Sequence, residues 1–251
     1  MKYSFIIFFI IFYLLLYTYS YFHKNTINNY HNNYQIWHNQ PFSFNFKQFI
    51  NICGDETVNL ENFTKDNISN LYPTSSTQIK LKQWFLNQSQ QQQHIFNNLN
   101  TQTRLFFLKN STHPIACFFI QWIYNSIHLL PTQLQIILNN NQHIKFAIRI
   151  SKNYWDYPNH FDTINTFMLI LSGTRNVTLN NITKLSLSTN DIIFFPSCMY
   201  HHFYSSTFNN NNQLNFVLTI SYQSNNTTCF NKFITEYPTQ YQRVINHIDF
   251  I

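Results

Sequence analysis

The stretch "WDYPNHFDT", residues 155–163, sets His160 and Asp162 two apart in a chain only 10% charged. In a strand or at its end, alternate residues share a face, so the imidazole and the carboxylate point to one place and Phe161 points away. A nitrogen and an oxygen donor brought to one point ask for a third ligand from another strand. Together they form a facial triad with open positions for a co-substrate and dioxygen, the donor set of non-haem iron(II). The third donor is found in "TNDIIFFPSCMYHHF", where an apolar run Asp191–Phe195 stops at Pro196 and a tight turn delivers His201 and His202. On spacing alone either histidine serves. His94, His113, His128, His143 and His247 show no such pairing.

Such a triad needs strands to carry it. From about residue 143, "HIKFAIRIS" alternates, with Phe146, Ile148 and Ile150 on one face and Ala147, Arg149 and Ser151 on the other. "INTFMLILS", "RNVTLN", "DIIFFP" and "LNFVLTISY" follow at short intervals, β-branched and aromatic, punctuated by Asn, Ser, Pro and Gly. No helix-length segment interrupts residues 146–222, which argues against a parallel α/β sheet and for a barrel or sandwich. Upstream, "FNFKQFINICGDETVNL" predicts a short helix ending near Gly54 and then a strand. "STQIKLKQWFLNQSQQQQ" predicts an amphipathic helix, "TRLFFLKN" a strand, and "PIACFFIQWIYNSIHLLP" a buried helix or helix pair. "CFNKFITEYPTQYQRVINHIDF" reads as a helix pair broken at Pro238. Gly54 and Gly173 are the only glycines, so positions that need a left-handed backbone are expected to carry Asn.

These motifs resemble the JmjC and cupin-type 2-oxoglutarate oxygenases. That family carries His-x-Asp, then Gly and a basic residue, then a Gly-Asp…Pro…His segment. Here Asn190-Asp191 stands for Gly-Asp, Pro196 matches, Cys198 replaces a common glycine and Met199-Tyr200 the aromatic pair. That register selects His201, with His202 as a neighbour. Gly173 and Arg175 stand where the family has Gly-x-Lys, the lysine that holds the distal carboxylate of 2-oxoglutarate; arginine's planar fork can grip the same group. The resemblance covers about residues 46–223 and is dense over 146–204.

The resemblance implies a mostly β fold with flanking helices, a double-stranded β-helix (jelly roll) with its core at about 143–223. It implies Fe(II) held by His160, Asp162 and His201. The co-substrate would be 2-oxoglutarate, held by Arg175 with help from Tyr157 or Thr166, and the substrate a protein side chain. Tyr157 stands where the family often has Thr, and Thr166 where it often has Asn. Asp162 and His201 are 39 residues apart, a shorter insert than in many such hydroxylases, implying a more open site. These departures leave two rivals: a catalytically silent luminal binding module, and a small cupin with another metal and no 2-oxoglutarate.

The start of the chain has Lys2, no charge from Tyr3 to Phe22, then Lys24. Residues 1–22 read as a signal peptide or a signal anchor, since about 20 apolar residues suffice to span a bilayer. The expected location is the secretory pathway, the endoplasmic reticulum lumen or its membrane, to which eight glycosylation sequons add little. Residues 23–45 read as a tether and 46–251 as the domain. Helices over 230–248 are a possible homodimer contact, as the family resemblance suggests. The net charge of +6 is spread thinly, with no basic run or stripe, which argues against a nucleic-acid partner. Cys53, Cys117, Cys198 and Cys229 lack CxxC spacing; one bridge is possible, and spacing does not say which.

Overall fold

The computed structural model describes residues 34–63, 75–86, 100–141, 143–152, 156–204 and 215–223, with Cys229, Asn231 and Thr235 beyond them. Twelve strands are found among these residues: β1 (Gln35–Trp37), β2 (Thr57–Phe63), β3 (Ser75–Lys80), β4 (Asn100–Leu108), β5 (Ile144–Lys152), β6 (Asp156–His160), β7 (Asn165–Ser172), β8 (Thr174–Leu179), β9 (Thr183–Ser188), β10 (Ile192–Phe195), β11 (His201–Tyr204) and β12 (Asn215–Tyr222). The helices are α1 (Phe46–Cys53), α2 (Leu81–Leu86), α3 (Pro114–Asn125) and α4 (Thr132–Asn140), with a 3-10 turn at Ile127–Leu129.

Strands β5–β12 are shared between two sheets, each successive strand changing sheet except at the β8–β9 hairpin. One contains the order β10-β7-β12-β5, extended by β1 at one edge and β4-β2-β3 at the other. The second is β6-β11-β8-β9. Every ladder is antiparallel. Eight consecutive strands distributed in this way make a double-stranded β-helix, the jelly-roll arrangement that the family resemblance implied.

Strands β7 and β12 are buried along nearly their whole length, which is why they read as unbroken apolar runs. One face of each meets the opposing sheet. On the other face, Phe216 of β12 lies 4.8 Å from Phe44, 5.5 Å from Phe49 of α1 and 5.6 Å from Phe119 of α3, ring centre to ring centre. This aromatic layer fixes the helices on the outside of the larger sheet and leaves its inner face for the cavity. β8 instead alternates, with Arg175, Val177 and Leu179 inward.

Asparagine does take the left-handed positions. Asn39, Asn180, Asn181 and Asn190 have φ of 50°, 50°, 61° and 73°, and Gly173, between β7 and β8, has 87°. Cys198 is also left-handed, at 67°.

Some expectations change. Ser75–Lys80 is a strand, and among the described residues of that segment the helix is Leu81–Leu86; pairing of β3 along six residues of β2 outweighs the helical spacing. A compact unit begins at Gln35, and residues 35–45, read as tether, supply β1 on the edge of β10 and the buried Phe42. Strand β9 and helix α4 were not anticipated. Residues 1–22 and most of 230–248 lie outside the described residues. Among the described residues, no helix is long and apolar enough to cross a membrane.

Candidate metal centre

His160 ends β6, an edge strand, and stands directly across the ladder from His201, the first residue of β11. Cross-strand partners share a face, so both imidazoles look inward. The β6–β11 register slips by one residue between His201 and Phe203. Pro158 lies on the β6 side of that slip. An edge strand at a bulge is where a missing backbone N–H costs least, and bulges of this kind re-aim the side chains beside them. Asp162 follows in the loop to β7, with Phe161 between them buried against Tyr200 at a ring separation of 5.1 Å.

The three side chains meet. His160 Nε2 is 3.8 Å from Asp162 Oδ1, and His201 Nε2 is 3.6 Å from Asp162 Oδ2. One ligand atom from each lies within 4.8 Å of the others. These separations exceed hydrogen-bond length. Three donors about 2.1 Å from one cation stand about 3 Å apart at right angles, so a small inward movement closes the set. Two imidazole nitrogens and a carboxylate oxygen fit iron(II) or a comparable divalent ion.

The surroundings prepare the nitrogens. His201 Nδ1 lies 2.9 Å from the Met199 carbonyl and donates to it, which leaves Nε2 as the bare, metal-binding nitrogen. Burial pushes His201 down to about 3, and His160 adds to the effect while Asp162 and the Met199 carbonyl oppose it. At neutral pH the ring is therefore uncharged, the form that ligates. The rings of Phe195 and Phe203 lie 4.5 and 5.3 Å from His201 and wall that side against water. Asp162 is 40% exposed, so the metal position opens outward.

The triad sits in a cavity of about 270 Å³ between the two sheets. Its far wall is a row across the inner face of the larger sheet. There Lys145, Ala147 and Arg149 of β5 alternate inward beside Thr219 and Ser221 of β12, then Thr166 and Met168 of β7. Thr166 Oγ1 and Ser221 Oγ are 3.0 Å apart.

Thr166 thus lines the cavity. Arg175 is wholly buried but is not among the residues that line it. Burial lowers its guanidinium to about 9, helped by the charge of Arg149. The backbone of Tyr157 pairs with Phe203, and its side chain is not among those described. The cations on the cavity wall are Lys145 and Arg149, which the sequence reading did not single out; their shared alternation on β5 was the available signal. His202 points away from His201 by alternation, its ring 5.0 Å from Tyr204.

No family model and no curated protein matches the chain by sequence. Among solved structures, the chain is similar to a cupin superfamily protein of Desulfitobacterium hafniense, at 16% identity over 32% of this chain and 68% of that one, with a TM-score of 0.28. It is similar to the DMSP lyase DddQ of Ruegeria pomeroyi, at 16% identity over 33% of this chain and 40% of that one (TM-score 0.29). A salicylate 1,2-dioxygenase of Pseudaminobacter salicylatoxidans matches at 14% identity over 31% of this chain and 20% of that one (TM-score 0.27). The jelly-roll fold rests on the strand order of the chain itself.

Proposed function

We propose that the chain is a non-haem iron(II) oxygenase that uses 2-oxoglutarate. The observation that supports this most is the convergence of His160, Asp162 and His201 at an outward-facing corner of the cavity. His160 and His201 would hold the metal through Nε2 and Asp162 through its carboxylate. When bound, iron and a 2-keto acid supply dioxygen activation, with succinate and carbon dioxide as by-products of oxygen transfer to a C–H bond.

The chain's own residues would do the rest. The cationic wall favours a ligand with a second negative charge, and Arg149 and Lys145 are its charged groups. Thr166 and Ser221 offer hydroxyls to the keto acid. Phe195 and Phe203 keep water from the histidine side. We further read the substrate as a protein side chain and the setting as the secretory pathway. The Cys198–Cys229 disulfide supports an oxidising compartment. Residues 1–22 would route the chain there and 230–248 would form a dimer contact.

Incubation of the purified chain with Fe(II), ascorbate and 2-oxoglutarate should yield succinate above a metal-free control. Arg149→Ala should reduce succinate formation by at least tenfold. Iron binding without succinate would sink the 2-oxoglutarate reading. A second reading, a cupin whose metal works without a keto acid, is favoured by the absence of Arg175 from the cavity wall. It expects metal binding, no succinate, and indifference to Arg175→Ala.

A further inference from the structure

Two segments carry metal ligands into the site, each crossing between the two sheets: the loop holding Asp162, between β6 and β7, and the Pro196–Tyr200 turn that links β10 to β11 and delivers His201. They are fastened to each other. Cys198 N–H donates to the Asp162 carbonyl at 2.8 Å, and Ser197 N–H donates to Asn165 Oδ1 at 3.0 Å. Met199, whose carbonyl holds His201 Nδ1, closes the same turn by donating to the Pro196 carbonyl.

The turn also bears the chain's disulfide. Cys198 is bonded to Cys229, 31 residues on. Cys229 is fully buried, and its sulfur lies 3.6 Å from the same Asp162 carbonyl. That is a packing contact, because a disulfide sulfur carries no proton. The Asp162 carbonyl is thus enclosed by both half-cystines. Cys198 sits at φ 67°, a conformation that suits glycine and is unfavourable for a residue with a side chain. A cysteine held there is explained by the bond it makes.

We infer that the Cys198–Cys229 disulfide is a positioning latch for the metal centre, setting the Asp162 loop against the His201 turn, so that reducing it weakens metal binding. The inference rests on the proposed metal triad. Cys198 is partly exposed and open to attack by a thiolate. In the exchange a partner dithiol attacks the Cys198 sulfur and the Cys198–Cys229 bond breaks. Two electrons and two protons pass to the protein as two thiols, and the partner leaves as its own disulfide.

The test is titration of the oxidised chain with Co(II) alone, followed by its d–d absorption. The titration is repeated after reduction by a phosphine, which takes its oxygen from water and does not chelate as dithiols do. The double variant Cys198→Gly/Cys229→Ala keeps the left-handed turn unstrained without the bond. The latch predicts Co(II) affinity weaker by roughly 10- to 100-fold in the reduced and double-variant chains, as for other groups that orient metal ligands. It also predicts an altered absorption band, with far-UV circular dichroism unchanged.

Equal affinity in all three forms would overturn the latch while leaving the metal centre standing. Absence of Co(II) binding by the oxidised chain overturns the metal centre and the latch with it. If the double variant loses its fold, the reduced wild-type chain, checked by circular dichroism, gives the decisive comparison.

Discussion

His201 and His202 are adjacent in sequence and opposite in circumstance. The first is 2% exposed, neutral, and fixed through Nδ1; the second lies on the other face of β11 beside Tyr204. His201→Ala should therefore abolish iron or cobalt binding by the chain, while His202→Ala should leave the affinity within about threefold. Isothermal titration distinguishes them, and the reverse result would mean the ligand register is off by one. Asp191 is a structural counterpart. Burial alone would raise its carboxyl, but the Ser188 and Asn39 amides and His38 hold it below the usual carboxylate range. A carboxyl with a depressed folded value contributes stability that is full above its unfolded value, about 3.9, and is lost as pH falls through the folded one. Asp191→Asn should cost about 1–3 kcal/mol at pH 7 by urea denaturation. The difference from wild type should shrink below about pH 4.

At the scale of elements, the tight connections of the jelly roll are made with asparagine. Asn180 and Asn181 occupy the β8–β9 turn, closed by Ile182 N–H to the Leu179 carbonyl, and Asn190 lies in the middle of the β9–β10 connection. Left-handed residues suit hairpin turns because their twist matches that of the strands, and asparagine adopts them more easily than other residues with side chains. Asn190→Gly should leave stability unchanged or raise it by a few tenths of a kcal/mol. Asn190→Val should lower it by about 1–2 kcal/mol, read from chemical unfolding midpoints. Equal effects of the two would show that the side chain, not the backbone angle, matters at this corner.

For the molecule as a whole, the site joins the two sheets: His160 and His201 come from one, the cationic and hydroxyl wall from the other. A bound cation should then stabilise the whole β-helix. At a free metal concentration of 100 times Kd the gain should be about 2.7 kcal/mol, seen as a rise in Tm with added Co(II). His160→Ala should remove that rise. A rise that survives the substitution would place the stabilising ion elsewhere.

The sequence by itself determined the β character, the two-faced alternation of β5 and the His-x-Asp pair. It also determined that asparagine would take glycine's place, because these follow from side-chain period, residue shape and allowed backbone angles. Ser75–Lys80 was illegible for the same local reason: its spacing fits a helix, and only the ladder to β2 makes it a strand. Three matters waited for the tertiary structure. Arg149 rather than Arg175 lines the cavity, since alternation assigns a face but not the place where two sheets part. Cys198 chose Cys229 from among three partners because the chain's later segment returns to the Asp162 loop. His160 met His201 across one rung, over 40 intervening positions, by hydrogen-bond register that no local pattern encodes.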